Sequence, residues 1–140
     1  MVAVTSFGYS RGRIGANVSD VPSGLLYTRN HDWFCIDSDG LLLVGVTDYA
    51  QRALGDVVFA ELCAANVRIS EGDVVATLES TKAVSEVYAP TSGEVIAVNE
   101  SIVRFPERIN SAPYASWLMK MRPATEIRGM SSEEYARFIA

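Results

Sequence analysis

The chain is poor in the groups that most enzymes rely on. Its 140 residues include one histidine, His31, and two cysteines, Cys35 and Cys63, and neither cysteine sits in a CxxC pair or beside a metal-ligand neighbour. No spacing draws the three together, so neither a zinc site nor a disulfide framework is indicated, and both thiols are expected to be buried in apolar, strand-like stretches. Positive charge is also short: 12 Lys and Arg stand against 17 Asp and Glu, for a formal net charge of -5. A nucleic-acid partner needs a basic face, and this balance argues against one. Long apolar runs are absent too. None exceeds four residues, against the ~20 that a membrane-spanning helix needs.

What is present is an apolar fraction of 49%, enough at this length for one domain with one sizeable core. No acid precedes Asp20, and the stretch before it carries two arginines and several hydroxyl residues, the composition of an organellar transit segment. Gly8, Gly12 and Gly15 weaken any helix there. Residues 1–24 are therefore expected to be a flexible leader or transit-peptide remnant, ahead of a domain over 25–140.

Short β-rich runs bounded by turn residues fill the first half of that domain: LLYT from Leu25, WFCI from Trp33, LLLVGV from Leu41 and VVFAEL from Val57. One helix interrupts them at TDYAQRAL, with Thr47 as its cap, Asp48 at its positive end and Gly55 as its stop. A second helix is expected at SSEEYARFIA, where Ser131 and Glu134 have capping-box spacing and Tyr135, Phe138 and Ile139 form a stripe for core docking. The segment from Asn99 to Trp117, interrupted by Pro106 and Pro113, reads as a long loop over the sheet.

The informative feature is a pseudo-repeat. GDVVATLE and GEVIAVNE match at Gly72 and Gly93, Val74 and Val95, Ala76 and Ala97, and Glu79 and Glu100, with Lys82 between the copies on STKA. Two related strand units imply a sandwich of hairpins, and Lys82 then falls where the chain reverses, at an exposed tip. A wet lysine is a poor Schiff-base catalyst, because that role needs desolvation. It is well placed for modification by another enzyme.

At these residues a resemblance can be named. LLYTRNHDWFCI, VGVTDYAQRALGDVVFAEL, LESTKAVSEVYAPTSGEVIAVNE and PERINSAPYASWLMKM, from about Tyr27 to Arg122, resemble in order the H protein of the glycine cleavage system. The resemblance implies a mainly β fold, the barrel-sandwich hybrid of lipoyl and biotinyl carrier domains, with short helices including one at the C-terminus. It places the family's lipoyl-lysine on Lys82 within ESTKA. Small departures are visible: Thr81 precedes the lysine where the family commonly has valine, HDW replaces HEW, Glu86 stands for a common aspartate, and PYASW is shorter than the usual PYGxGW.

The resemblance further implies lipoate joined by an amide to Lys82, and a carrier that catalyses nothing itself. It would take the aminomethyl group of glycine from glycine decarboxylase (P protein) to the aminomethyltransferase (T protein), with dihydrolipoamide reoxidised by dihydrolipoyl dehydrogenase (L protein). A lipoate-attaching enzyme is a fourth partner. The implied location is the mitochondrial matrix, on the leader composition, with bacterial cytoplasm as the alternative. A carrier that visits several enzymes has reason to be a monomer. The carried amine is cationic, so a carboxylate in a docking cleft would hold it; by position in the family motifs Asp32 and Glu86 are the candidates, with a solvated surface carboxylate as the plain alternative for each. His31 is a further cleft candidate, or else simply packs beside Trp33.

Rival readings remain. A biotin carrier presents its lysine between methionines, as at Met119, Lys120 and Met121, but WLMKMRP also fits a closing strand with Lys120 outward. A lipoyl domain of a 2-oxoacid dehydrogenase commonly shows DKA and is followed by a linker and an acyltransferase domain. A thiol enzyme would use Cys35 or Cys63 with His31 as base. A lipoate-relay carrier would share the fold without taking part in glycine cleavage.

Overall fold

The computed structural model describes residues 19–140. Nine strands and four short helices follow one another there. Strands β1 (Leu26–Tyr27), β2 (Asp32–Ile36) and β3 (Leu42–Val46) lead into helix α1 (Asp48–Leu54), followed by β4 (Val57–Leu62), β5 (Val67–Ile69), β6 (Val74–Ser80), β7 (Val84–Tyr88) and β8 (Gly93–Val98). Helices α2 (Glu100–Arg104) and α3 (Arg108–Ser111), strand β9 (Met119–Pro123) and helix α4 (Ser132–Ile139) complete the chain. The strands form two sheets, one of six in the order β1-β2-β3-β9-β8-β5 and one of three in the order β4-β6-β7. The mainly β, two-sheet architecture with a C-terminal helix is the one expected.

Strand alternation decides which side of the large sheet each residue serves. Phe34, Ile36, Leu42, Val44, Met119 and Met121 enter one apolar cluster together with Val57, Ala60, Leu78 and Val87 of the small sheet, so this cluster is the filling between the sheets. Trp33, Cys35 and Leu43 face the other way and join Tyr27, Tyr114 and Tyr135 in a second cluster. Both faces of β2 and β3 are therefore covered. That is why WFCI and LLLV read as continuous apolar runs rather than as an alternating pattern.

Helix α1 forms as expected: the Thr47 side chain accepts the Ala50 N–H, and Gly55 ends the helix at φ 85° with its N–H on the Gln51 carbonyl. In α4 both halves of the capping box between Ser131 and Glu134 are present. Its stripe docks unevenly. Tyr135 is fully buried and Ile139 packs against the second cluster, whereas Phe138 stays exposed with the Arg29 guanidinium 5.3 Å above its ring. The stretch from Asn99 to Trp117 is not simply a loop. Its prolines leave room for α2 and α3, too short to show a period, each pinned by one buried residue, Ile102 and Ile109.

The pseudo-repeat has a structural counterpart. β6 pairs with β4 and β7 in the small sheet, and β8 pairs with β5 and β9 in the large one, so the two copies lie in different sheets. Each carries a register shift at the same place, between Val74 and Ala76 in one and between Val95 and Ala97 in the other. Such bulges bend a strand at a defined point.

Of the expected leader, residues 1–18 lie outside the described residues. Asp20, Val21 and Pro22 fall on the leader side of the expected boundary but are held to the body. The Asp20 N–H donates to Asp48 Oδ2 at 2.9 Å, the Tyr114 hydroxyl to the Asp20 carbonyl at 2.6 Å, and the Tyr27 hydroxyl to the Pro22 carbonyl. Among the described residues no helix is long and apolar enough to cross a membrane.

Candidate functional site: the lysine hairpin and a neighbouring cleft

Strands β6 and β7 form an antiparallel hairpin whose last paired row is Glu79 with Val84. Ser80 closes the turn beyond it. Its N–H donates to the Ala83 carbonyl at 2.9 Å, and its hydroxyl oxygen accepts the N–H groups of Lys82 at 3.2 Å and Ala83 at 3.1 Å. A small hydroxyl residue thus makes the reversal from its own side chain. Thr81, Lys82, Ala83 and Val84 are all exposed, Val84 at 63%. The tip presents one primary amine on a turn with little freedom.

Beneath it lies the end of α1. A Cβ built on Gly55 would stand 3.3 Å from Lys82 Cε, so the lysine stem passes over this bare backbone. Asn110 of α3 holds the same spot: its Nδ2 donates to the Gly55 carbonyl and to Gln51 Oε1, each at 2.9 Å, and its Oδ1 accepts the Val57 N–H at 2.8 Å.

From the tip, β7 leads to a cleft of about 690 Å³ whose lining includes Arg29, Asn30, Asp32, Tyr88, Arg128 and Met130. Val84, Glu86 and Tyr88 alternate onto one face of the strand, which spans roughly 13 Å at ~3.3 Å per residue. Asp32 is 3% exposed, so it is not the solvated surface carboxylate of the plain alternative. Burial pushes its pKa well above the ordinary carboxylate value, against the pull of a hydrogen bond from the Tyr88 backbone. Glu86 is exposed, outside the cleft lining, and accepts the Tyr88 hydroxyl at 3.2 Å. Tyr88 therefore links the two acids.

His31 turns away from the cleft. At φ 66° its ring lies tilted by 30° against Tyr49 at 4.4 Å between centroids, and its Nδ1 lies 2.9 Å from the Tyr135 hydroxyl. Burial lowers its pKa, which favours the neutral ring. The three expected cleft residues are thus divided: Asp32 lines the cleft, Glu86 lies on the strand leading to it, and His31 stands behind.

The rival sites fare differently. Met119 and Met121 are fully buried on β9, while Lys120 between them points outward to Asp37 Oδ2 at 3.5 Å and over the Trp117 ring at 5.2 Å, as a closing strand requires. It is not at a protruding tip. Cys35 is buried and its thiol is pushed up to about 12 by burial and by Asp37, while Cys63, only partly buried, is also raised by burial. Neither thiol is activated as a nucleophile needs.

Residues 25–140 match the family model described as glycine cleavage H-protein. The chain belongs to this family. A protein of Azoarcus sp. strain BH72 named glycine cleavage system H protein is 51% identical over 107 residues, covering 76% of this chain and 84% of its own. One from Pyrococcus horikoshii, named "Probable glycine cleavage system H protein", is 48% identical over 123 residues, 85% of this chain and 92% of its own. The crystal structure of a glycine cleavage system H protein from Mycobacterium marinum superposes with a TM-score of 0.79 at 36% identity, covering 85% of this chain and 98% of that one. These H-protein relatives are bacterial and archaeal, and they give the mitochondrial expectation no support.

Sequence reasoning did not find Asn110, Tyr88 or the wall formed by Arg128 and Met130. The Asn110 side chain reaches Gln51, Gly55 and Val57, and the Tyr88 backbone reaches Asp32, all across long sequence separations that the local pattern does not display. For the wall, Gly129 between the two was the available signal, since a glycine can mark a close approach of two backbones.

Proposed function

We propose that this H-protein family member carries lipoate in amide linkage on Lys82. It shuttles the aminomethyl group of glycine from the P protein to the T protein and presents the reduced arm to the L protein. The observation that carries this reading is the Lys82 amine, exposed on a turn closed by Ser80. A primary amine held out on a stiff hairpin fits acylation by an attaching enzyme, which can enclose the tip without unfolding the carrier. Bound lipoate would supply the disulfide that accepts and releases the carbon group.

The chain's own residues hold and shelter. β7 sets a track from Lys82 past Glu86 to the cleft, where Asp32 in its ionised form faces a cationic amine and the buried setting excludes water. The protein works as a monomer, since one face must serve several enzymes in turn. Its bacterial and archaeal relatives support a cytoplasmic location rather than the mitochondrial matrix.

Intact mass after expression with lipoate, followed by peptide mapping, tests the attachment: a lipoyl adduct on Lys82 is expected, and none in Lys82→Arg. Reconstitution with P, T and L proteins tests the shuttle. Adduct formation without glycine cleavage would instead identify a lipoate-relay carrier.

A further inference from the structure

The C-terminal segment does more than finish the core. Met130 forms a bridge with Tyr27, its N–H donating to the Tyr27 carbonyl at 2.8 Å and its carbonyl accepting the Tyr27 N–H at 2.9 Å. Gly129 makes the close approach possible, because a Cβ there would lie 2.7 Å from Phe34 Cζ and 3.0 Å from the Tyr27 carbonyl oxygen. Arg128, Gly129 and Met130 thereby form one side of the cleft that Asp32 and Tyr88 also line. Just beyond, α4 places the Tyr135 hydroxyl 2.9 Å from His31 Nδ1 and 2.9 Å from Thr47 Oγ1, and stacks its ring on Tyr27 at 4.6 Å and 5°.

Tyr135 therefore backs the cleft through Tyr27, which lines it, and through His31 and Thr47, which stand behind it. Its ring backs Tyr27, to which the Arg128–Met130 wall is bonded. Its hydroxyl holds His31, the chain neighbour of Asp32, and Thr47, whose own N–H donates to the His31 carbonyl at 3.0 Å. We propose that the stretch from Arg128 to Met130 is a working wall of the arm cleft, and that Tyr135, behind it, is the positioning residue that fixes this wall relative to Asp32. The proposal rests on the reading of the cleft as the place where the arm docks. Its ligand is the cationic amine at the end of a lipoyl arm, held by Asp32 and shielded from water by the wall. His31 acts in this arrangement through its bond to Tyr135, without contact to the arm.

Lipoylated parent protein, Tyr135→Phe, Gly129→Ala and Asp32→Asn test it, with glycine decarboxylase and glycine used to load the arm. Tyr135→Phe keeps the ring stack and loses only the hydroxyl, so it remains informative if Gly129→Ala does not fold. Three quantities are read: the extent of lipoylation by mass, amide hydrogen exchange over residues 28–32 and 88–90 with and without the carried group, and the lifetime of that group. Tyr135→Phe is expected to be lipoylated like the parent, to lose the exchange protection that loading gives to residues 28–32, and to release the carried group several-fold faster. If it matches the parent in protection and lifetime while Asp32→Asn shortens the lifetime, the wall is only structural and the proposal fails with the cleft intact. Parental behaviour in both variants would remove the cleft reading itself. Faster exchange with an unchanged lifetime would also overturn the positioning role.

Discussion

Lys82 lays its side chain over Gly55, across the end of a helix that the sequence separates from it by three strands, β4, β5 and β6. The glycine serves two purposes at once. At φ 85° and ψ -167° it occupies backbone space that residues with a Cβ avoid, and it leaves the lysine stem a bare surface.

Gly55→Ala is expected to lower stability by about 1–3 kcal/mol, the cost of forcing a side chain into that conformation. The midpoint of urea unfolding measures it. Lys82 should still accept lipoate, because its turn is closed by Ser80 and not by Gly55. Loss of attachment in a folded variant would mean that the helix end helps to present the amine.

Asp32 should make stability fall with rising pH. Burial raises its folded pKa above 3.8, so between that value and the folded pKa the native state binds more protons than the unfolded chain. Unfolding free energy therefore declines as pH rises through this window, and the full cost is present above the folded pKa. Asp32→Asn removes the ionisable group. Its stability relative to the parent is expected to be near level below pH 3.8 and to grow as pH rises through the window. A pH-independent difference in denaturation curves would show that Asp32 is not the group responsible.

The Tyr114 hydroxyl accepts the Asp48 N–H at 3.0 Å and donates to the Asp20 carbonyl at 2.6 Å. Tyr114→Phe removes both bonds at a cost of about 1–3 kcal/mol. Residues 20–22 should then exchange their amides faster than in the parent. If exchange there is unchanged, the remaining bonds of Asp48 and Tyr27 suffice to hold them.

Iodoacetamide at neutral pH should label the folded protein slowly. Cys35, pushed up to about 12, has almost no thiolate to react, and Cys63 is raised as well. Labelling of both is expected only as the chain unfolds. Rapid modification of folded protein, with loss of a turnover, would reopen the thiol-enzyme reading.

Local patterns were legible wherever chemistry and position coincide within a few residues. The Thr47 cap, the Ser131 and Glu134 box and the STKA turn are self-contained, so their residue types suffice. The pseudo-repeat announced two related strand units, but neither their matching bulges nor that they belong to different sheets, because pairing partners lie far along the chain. Helices α2 and α3 escaped notice because four or five residues cannot display a 3.6-residue period. Of the candidate site, the exposed reversal that carries Lys82 was legible from STKA. Asp32 was legible as a candidate, yet its burial was not.

By itself, the amino-acid sequence determined that this is an acidic, mainly β protein with one lysine on a tight reversal, since strand periodicity, turn residues and charge are properties of neighbours. Only the tertiary structure decided that Asp32 is buried beside Tyr88, that His31 faces Tyr135 rather than the cleft, and that residues 128–130 wall that cleft. Those relations join segments up to about a hundred positions apart, and they exist only because packing the two sheets and docking α4 bring them to one surface.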